Sequence, residues 1–209
     1  MKHNLSLSLS SQELKALAKR FHFEEKDFPL LEKTYHRLLP MIDAYFLFSF
    51  QDILPSVDFQ SYCYGLVTLG KGIDELVTSC MEKENIQEAY MIDCISLGLL
   101  DNAYSQCKTI ISEHTKLFVT ELHFLGDFYP MDLLPIFFET LQPEGISVTS
   151  GNMLLPLKTV ALILPLSEDS ADAICMSHSC ASCKNTGCSM RSRPQTYGVQ
   201  QIFHTNLSS

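Results

Sequence analysis

The chain has 209 residues, 46% of them apolar and 19% charged, with a formal net charge of −9. It is long enough to bury one large core or two small ones and too apolar to stay disordered. It is also too acidic for a general nucleic-acid or membrane-surface binder. The opening "MKHNLSLSLSSQELKALAKRF" has no apolar run fit for a signal peptide. The longest apolar stretch, "MLLPLKTVALILPL", is broken by Lys158 and two prolines and reads as no membrane span. The expectation is a cytoplasmic protein, whose thiols stay reduced.

In chain order, Ser10 with Glu13 has capping-box spacing, and Leu14, Leu17, Ala18 and Phe21 follow at helical intervals. A second helix starts at Asp27, tolerates Pro29 in its first turn and buries Leu31, Tyr35, Leu38 and Ile42, with Pro40 as a kink or stop. "YFLFSF" (45–50) and "YCYGLVTLG" (62–70) are aromatic and β-branched and read as strands. Gly70 and Gly72 turn the chain into a short helix carrying Leu76, Val77 and Cys80. Asn85 with Glu88 opens the longest periodic segment, Ile86 to about Ser112. In it Tyr90, Asp93, Leu97, Leu100, Tyr104, Cys107 and Ile111 share a face or its border. A strand near Leu117–Phe124 precedes the turn "LGDFYP", and Asp132 caps a helix with Pro135 in its first turn, followed by Ile136, Phe137 and Leu141. "GISVTSG" and "TVALILP" read as strands, the second apolar on both faces and therefore central. Helices and strands do not alternate strictly, which favours α+β over a doubly wound sheet.

Cys63, Cys80, Cys94 and Cys107 lie among apolar neighbours and read as core residues. The other four follow the spacing Cys175-x4-Cys180-x2-Cys183-x4-Cys188. A Cys-x-x-Cys pair brings two thiolates to one ion from a tight turn, and four thiolates suit tetrahedral zinc or a four-iron iron–sulfur cluster. His178 could replace one cysteine at a zinc site. No acid occurs from Ala173 onward while Lys184, Arg191 and Arg193 are basic, which favours thiolates. The alternative is a flexible tail with incidental thiols.

Asp93 and Asp101 stand about 80° apart around the long helix amid apolar residues. Such an acid meets a ligand amine or hydroxyl or, more commonly, sits solvated at a boundary. "TLGKG" (68–72) lacks the full phosphate-loop spacing and reads as a plain strand-to-helix turn. The histidines form no His-x-x-x-His pair, and no serine lies in a Gly-x-Ser-x-Gly elbow.

Two stretches together resemble a known family. "GLVTLGKGIDELVTSCMEKENIQEAYMIDCISLGLLDNAY" (65–104) looks like the strand, glycine turn and long helix of the cobalamin-dependent methionine synthase activation domain, especially its stand-alone bacterial versions. "ISVTSGNMLLPLKTVALI" (146–163) is similar to that family's Leu-Thr-x-Ser-x-x-Met-x-x-Pro-x-Lys-Ser-Val segment. Val148, Thr149, Met153, Pro156, Lys158, Thr159 and Val160 hold its places. Stand-alone members also often end in Cys-x-x-Cys-x4-Cys followed by Arg, as Cys180, Cys183, Cys188 and Arg191 do.

The resemblance implies a single C-shaped α+β domain with a twisted antiparallel sheet flanked by helices, over residues 1–170, plus a Cys-rich C-terminal segment, 171–209. It implies an accessory subunit that clasps a corrinoid-binding protein or methionine synthase core. There cobalamin, carried by the partner, is reduced by a donor such as flavodoxin or ferredoxin and remethylated from S-adenosylmethionine. In that arrangement the chain supplies positioning rather than chemistry. The alternative class is an electron-transfer or metal-binding scaffold built on the four C-terminal cysteines.

The family's ligand loop, Arg-x-x-Pro-Gly-Tyr ahead of a Gly-Asp-aromatic turn, is only partly matched by "VTELHFLGDFYP". Gly126, Asp127 and Phe128 fit, while the arginine and Pro-Gly-Tyr are missing. The family's ligand-contacting glutamate falls on Asp101. No arginine occurs between Arg37 and Arg191, so a bidentate carboxylate partner is lost from the loop and S-adenosylmethionine binding should weaken.

Overall fold

A computed structural model describes residues 1–51, 61–127 and 129–169. The chain opens with a short strand β1 (Lys2–Asn4), then helices α1 (Ser11–Arg20) and α2 (Phe28–Leu38). Ser10 and Glu13 form the capping box their spacing predicts. The Ser10 hydroxyl and backbone N–H hold the Glu13 pKa below its ordinary value, so this support fades as pH falls through that pKa. Pro29 sits in the first turn of α2, and after Leu38 the chain tightens into a 3₁₀ turn, Leu39–Met41, at Pro40.

Strands β2 (Tyr45–Gln51) and β3 (Tyr62–Thr68) form where the aromatic, β-branched runs predict them. Helices α3 (Gly72–Glu82) and α4 (Ile86–Thr115) follow. Asn85 is the residue before α4, where the sequence places the helix start, with Glu88 in the first turn, though the Asn85 side chain makes no capping hydrogen bond. The expected strand at 117–124 is two short ones, β4 (Phe118–Val119) and β5 (His123–Phe124). The break has a cause in register. Val119 pairs with Leu166 and His123 with Ile163, four steps on one strand against three on the other. That bulge lies opposite Pro165, which has no N–H to give a ladder. Asp132 falls within a 3₁₀ turn, Met131–Leu133, and caps nothing; Pro135 does sit in the first turn of α5 (Leu134–Leu141). A hairpin of β6 (Ser147–Val148) and β7 (Leu154–Leu155) leads into β8 (Thr159–Ser167).

The main sheet is antiparallel, in the order β1-β2-β3-β8-β4, with β5 also on β8. The doubly apolar β8 is therefore interior, as its composition predicts. Alternation sends Phe46, Phe48, Cys63, Val67, Leu162 and Leu164 to one face, under α1 to α4. It sends Tyr45, Leu47, Tyr62, Tyr64, Leu66 and Ile163 to the other, under α5 and the hairpin. Phe137 of α5 packs on Tyr64 with ring centroids 4.3 Å apart, and burying such a ring contributes about 1.5–3 kcal/mol. No helix among the described residues is long and apolar enough to cross a membrane.

Two glycines set how closely the helices approach. A Cβ on Gly72 would lie 2.2 Å from the Met41 carbonyl oxygen, fixed backbone that cannot step aside. A Cβ on Gly98 would lie 2.7 Å from Leu17 Cδ1, so the bare Gly98 backbone lets α1 press onto α4. Gly72→Ala should lower stability by about 2–3 kcal/mol in a urea titration, and Gly98→Ala by less, because the leucine end can rotate. Unchanged midpoints for both variants would contradict these close approaches.

Candidate functional site

Helix α4 is buried on nearly every side: Met91, Ile92, Cys94, Ile95, Ser96, Leu99 and Leu100 are all enclosed. Between them runs one exposed strip, Ile86, Tyr90, Asp93, Leu97 and Asp101, at steps of three and four residues. The sequence periodicity groups Tyr90, Asp93 and Leu97 with Leu100, Tyr104, Cys107 and Ile111. The last four are buried and the first three are not, Tyr90 being 48% and Leu97 36% exposed. An open strip on an otherwise enclosed helix, bordered by other elements, is a candidate groove.

Its first wall is the end of α1 and the residues after it. Arg20 Nη1 lies 3.4 Å from Asp101 Oδ2, and the Phe23 ring meets Tyr90 at 5.6 Å. The opposite wall comes from the sheet. Lys158, at the start of β8, pairs with Asp93, and the neighbouring Leu157 N–H donates to Asp74 Oδ2 at 2.8 Å. Further along, Tyr104 meets Phe124 of β5 edge-on, with centroids 5.7 Å apart. Burial pushes the Tyr104 phenol pKa upward, helped by the Asp101 charge. The Asp101 carboxyl is itself raised by burial among its neighbours, an effect that Arg20 opposes.

The residues singled out by sequence fall as follows. Asp101 lies on the groove floor beside Arg20. Gly126, at φ +90°, turns the chain two residues after Phe124, donating its N–H to the Tyr129 carbonyl at 2.7 Å. The Asp127 N–H donates to the Phe124 carbonyl at 3.2 Å, closing that turn. The Tyr104–Phe124 contact thus links the Asp101 turn of α4 to the Gly126–Asp127 turn. Phe128, Cys175, Cys180, Cys183 and Cys188 lie outside the described residues. Among the described residues no group of three or more His, Cys, Asp or Glu side chains could hold a metal. "TLGKG" is the plain strand-to-helix turn it reads as, with the Gly70 N–H donating to the Thr68 hydroxyl at 3.1 Å.

In the 146–163 stretch, the Thr149 N–H donates to the Met153 carbonyl at 2.9 Å and the Met153 N–H to the Thr149 hydroxyl at 3.1 Å across the hairpin end, with Val148, Met153, Leu155 and Leu157 exposed. The Leu155–Pro156 peptide is cis. Thr159 buries its hydroxyl 2.8 Å from that of Thr68. Lys158 and Arg20 are the residues that sequence reasoning did not place at this groove. For Arg20 the signal was the 81-residue gap to Asp101, which only the fold closes.

No protein-family profile matches the chain. The uncharacterized protein 012L of Frog virus 3 (isolate Goorha) is 24% identical over 131 residues, covering 61% of this chain and 41% of the viral protein. The chain thus spans less than half the length of that relative. Among solved structures, the crystal structure of the MetH reactivation domain bound to AdoHcy is similar, with a TM-score of 0.56. Identity is 9%, and the match covers 81% of this chain and 79% of that one. This likeness is one of fold: a curled antiparallel sheet with helices, as in that reactivation domain.

The four described cysteines, Cys63, Cys80, Cys94 and Cys107, are free and buried. Cys63 and Cys107 are buried and their thiol pKa values are raised by desolvation, and burial pushes Cys94 up to about 11. In a variant with Cys175, Cys180, Cys183 and Cys188 changed to Ser, an aromatic disulfide reagent at about pH 8 should label none of the remaining thiols until the protein unfolds. Rapid stoichiometric labelling of the native variant would contradict their assignment to the core.

Proposed function

We propose that this chain acts as a reactivation-domain-like accessory to a cobalamin-dependent methyltransferase, methionine synthase in particular. It grips a corrinoid-bearing partner while that partner's cobalt is reduced by a flavodoxin- or ferredoxin-type donor and remethylated from S-adenosylmethionine. The observation that carries the reading is the fold likeness to the MetH reactivation domain over most of both chains. The open strip on α4 supports it, since exposed apolar residues flanked by ion pairs suit a partner or ligand.

In this reading the groove receives S-adenosylmethionine, with Asp101 and the Gly126–Asp127 turn at its border, and Phe128 joins the binding set by its sequence position alone. The exposed residues Val148, Met153, Leu155 and Leu157 of the hairpin side meet the partner. Cobalamin stays on the partner and supplies the methyl-carrying chemistry. This chain's residues orient the ligand and exclude water, which raises effective concentration. The four C-terminal cysteines, by donor type and spacing, suit zinc or an iron–sulfur cluster that would order that segment or relay the electron.

The test is a titration of the full chain into a purified corrinoid-loaded methionine synthase core, with cobalt in the cob(II)alamin state. Binding in about the micromolar range is expected, as for a transient partner, and Met153→Asp should weaken it about tenfold. No binding at partner concentrations of about 100 μM in either cobalt oxidation state would contradict the proposal. Metal and sulfide analysis of anaerobically purified protein tests the cysteine reading. Stoichiometric zinc or iron supports it, and metal-free protein that still binds the corrinoid partner removes it alone.

A further inference from the structure

Arginine is scarce in the described core of this chain: Arg20 and Arg37 are the arginines among the described residues. They are used differently. Arg37 is closed off, with one nitrogen 2.5 Å from Glu88 and another 3.0 Å from Cys80 Sγ. Arg20 is not. Its one hydrogen bond among the described residues is the 3.4 Å contact with Asp101, long for a charge-assisted bond, which is usually about 2.7–2.9 Å. Its Nε is buried with no acceptor among the described residues. The guanidinium also lies 5.6 Å from the Phe21 ring centroid. Of the five donors in its planar fork, the terminal nitrogens keep N–H groups that no described hydrogen bond uses. Asp101 likewise engages Arg20 through Oδ2 alone, and its side chain keeps 52% of its surface open.

The placement is built rather than incidental. Arg20 ends α1, and α1 is seated on α4 where Gly98 lets Leu17 close in, one turn of α4 before Asp101. Beside the pair lie the exposed Leu97 side chain and the half-buried Phe124 ring, which packs edge-on against the buried Tyr104.

We propose that Arg20 and Asp101 together read the α-amino-acid end of the groove's ligand, Arg20 taking its carboxylate and Asp101 its ammonium. A simple anion would gain Arg20 and be repelled by Asp101, and a simple cation would meet the reverse. A zwitterion with both charges on one carbon completes both groups, and the fork then replaces a loose single contact with a bidentate one. The remainder of the ligand lies along the Leu97–Phe124 side. This rests on the proposed ligand of the groove and deepens it: α1 supplies the guanidinium that the Gly126 loop lacks.

The test is calorimetry with two probes, S-adenosylhomocysteine and 5′-methylthioadenosine, the same kind of nucleoside thioether without the amino-acid end. The full chain should bind the first at least about tenfold more tightly, the worth of one charged hydrogen-bonded partner. Arg20→Ala and Asp101→Asn should each abolish that preference while leaving 5′-methylthioadenosine binding as it was. Arg20→Lys, which keeps charge without the fork, should restore only part of it. Unchanged thermal midpoints establish that the variants are folded, and Asp101→Asn stands in should Arg20→Ala unfold. A preference that survives in both variants overturns the proposal while leaving the groove's ligand intact. A wild type that ignores both probes yet still binds the corrinoid protein overturns it and leaves the clasp standing. Loss of both probes and of the corrinoid protein removes the functional reading as well.

Discussion

The structure depends on how α4 is enclosed. Thirty residues of helix lie across one face of the sheet with α1, α2 and α3 packed around its first half, so apolar residues cover almost its whole circumference. A helix buried that way has little freedom to roll, and whatever strip it leaves open is fixed relative to the sheet. The side chains that border the strip come from four separate elements. Arg20 comes from α1, Asp93, Leu97 and Asp101 from α4, and Lys158 and Phe124 from β8 and β5.

The two ion pairs across this groove do different physical work. Lys158 is mostly buried and its pairing with Asp93 ties the entry of the interior strand to the helix. Removing one partner would leave a poorly solvated charge, which costs more than an exposed pair contributes. Arg20 and Asp101 are more open and more loosely matched, so their worth to folding is small. An electrostatic pair that contributes little to stability but borders an open apolar strip is available for recognition.

Much of the fold was legible in the sequence because local signals agreed with the tertiary outcome. The Ser10–Glu13 capping box, the aromatic runs of β2 and β3 and the doubly apolar β8 all form where expected. The 117–124 strand was misjudged because only pairing reveals the bulge opposite Pro165. The long helix was found but its face was not. When Cys94, Ile95, Ser96 and Leu99 are buried as well as Leu100 and Tyr104, periodicity cannot say which strip is left in solvent. For the proposed site, spacing and resemblance nominated Asp101 and the Gly126 turn. They could not nominate Arg20, because its meaning arises only from packing around Gly98.

The proposal at the centre of this account is that a corrinoid-bearing partner docks on the hairpin side and covers the open strip of α4, where the proposed ligand lies. Hydrogen exchange of the backbone amides, compared with and without a bound corrinoid protein, tests it most directly. The account gives slowed exchange at 20–23, 97–101, 123–127 and 147–158, with the far edge at β1 unchanged. Slowing confined to β1 and β2, or none anywhere despite measurable binding, would contradict it.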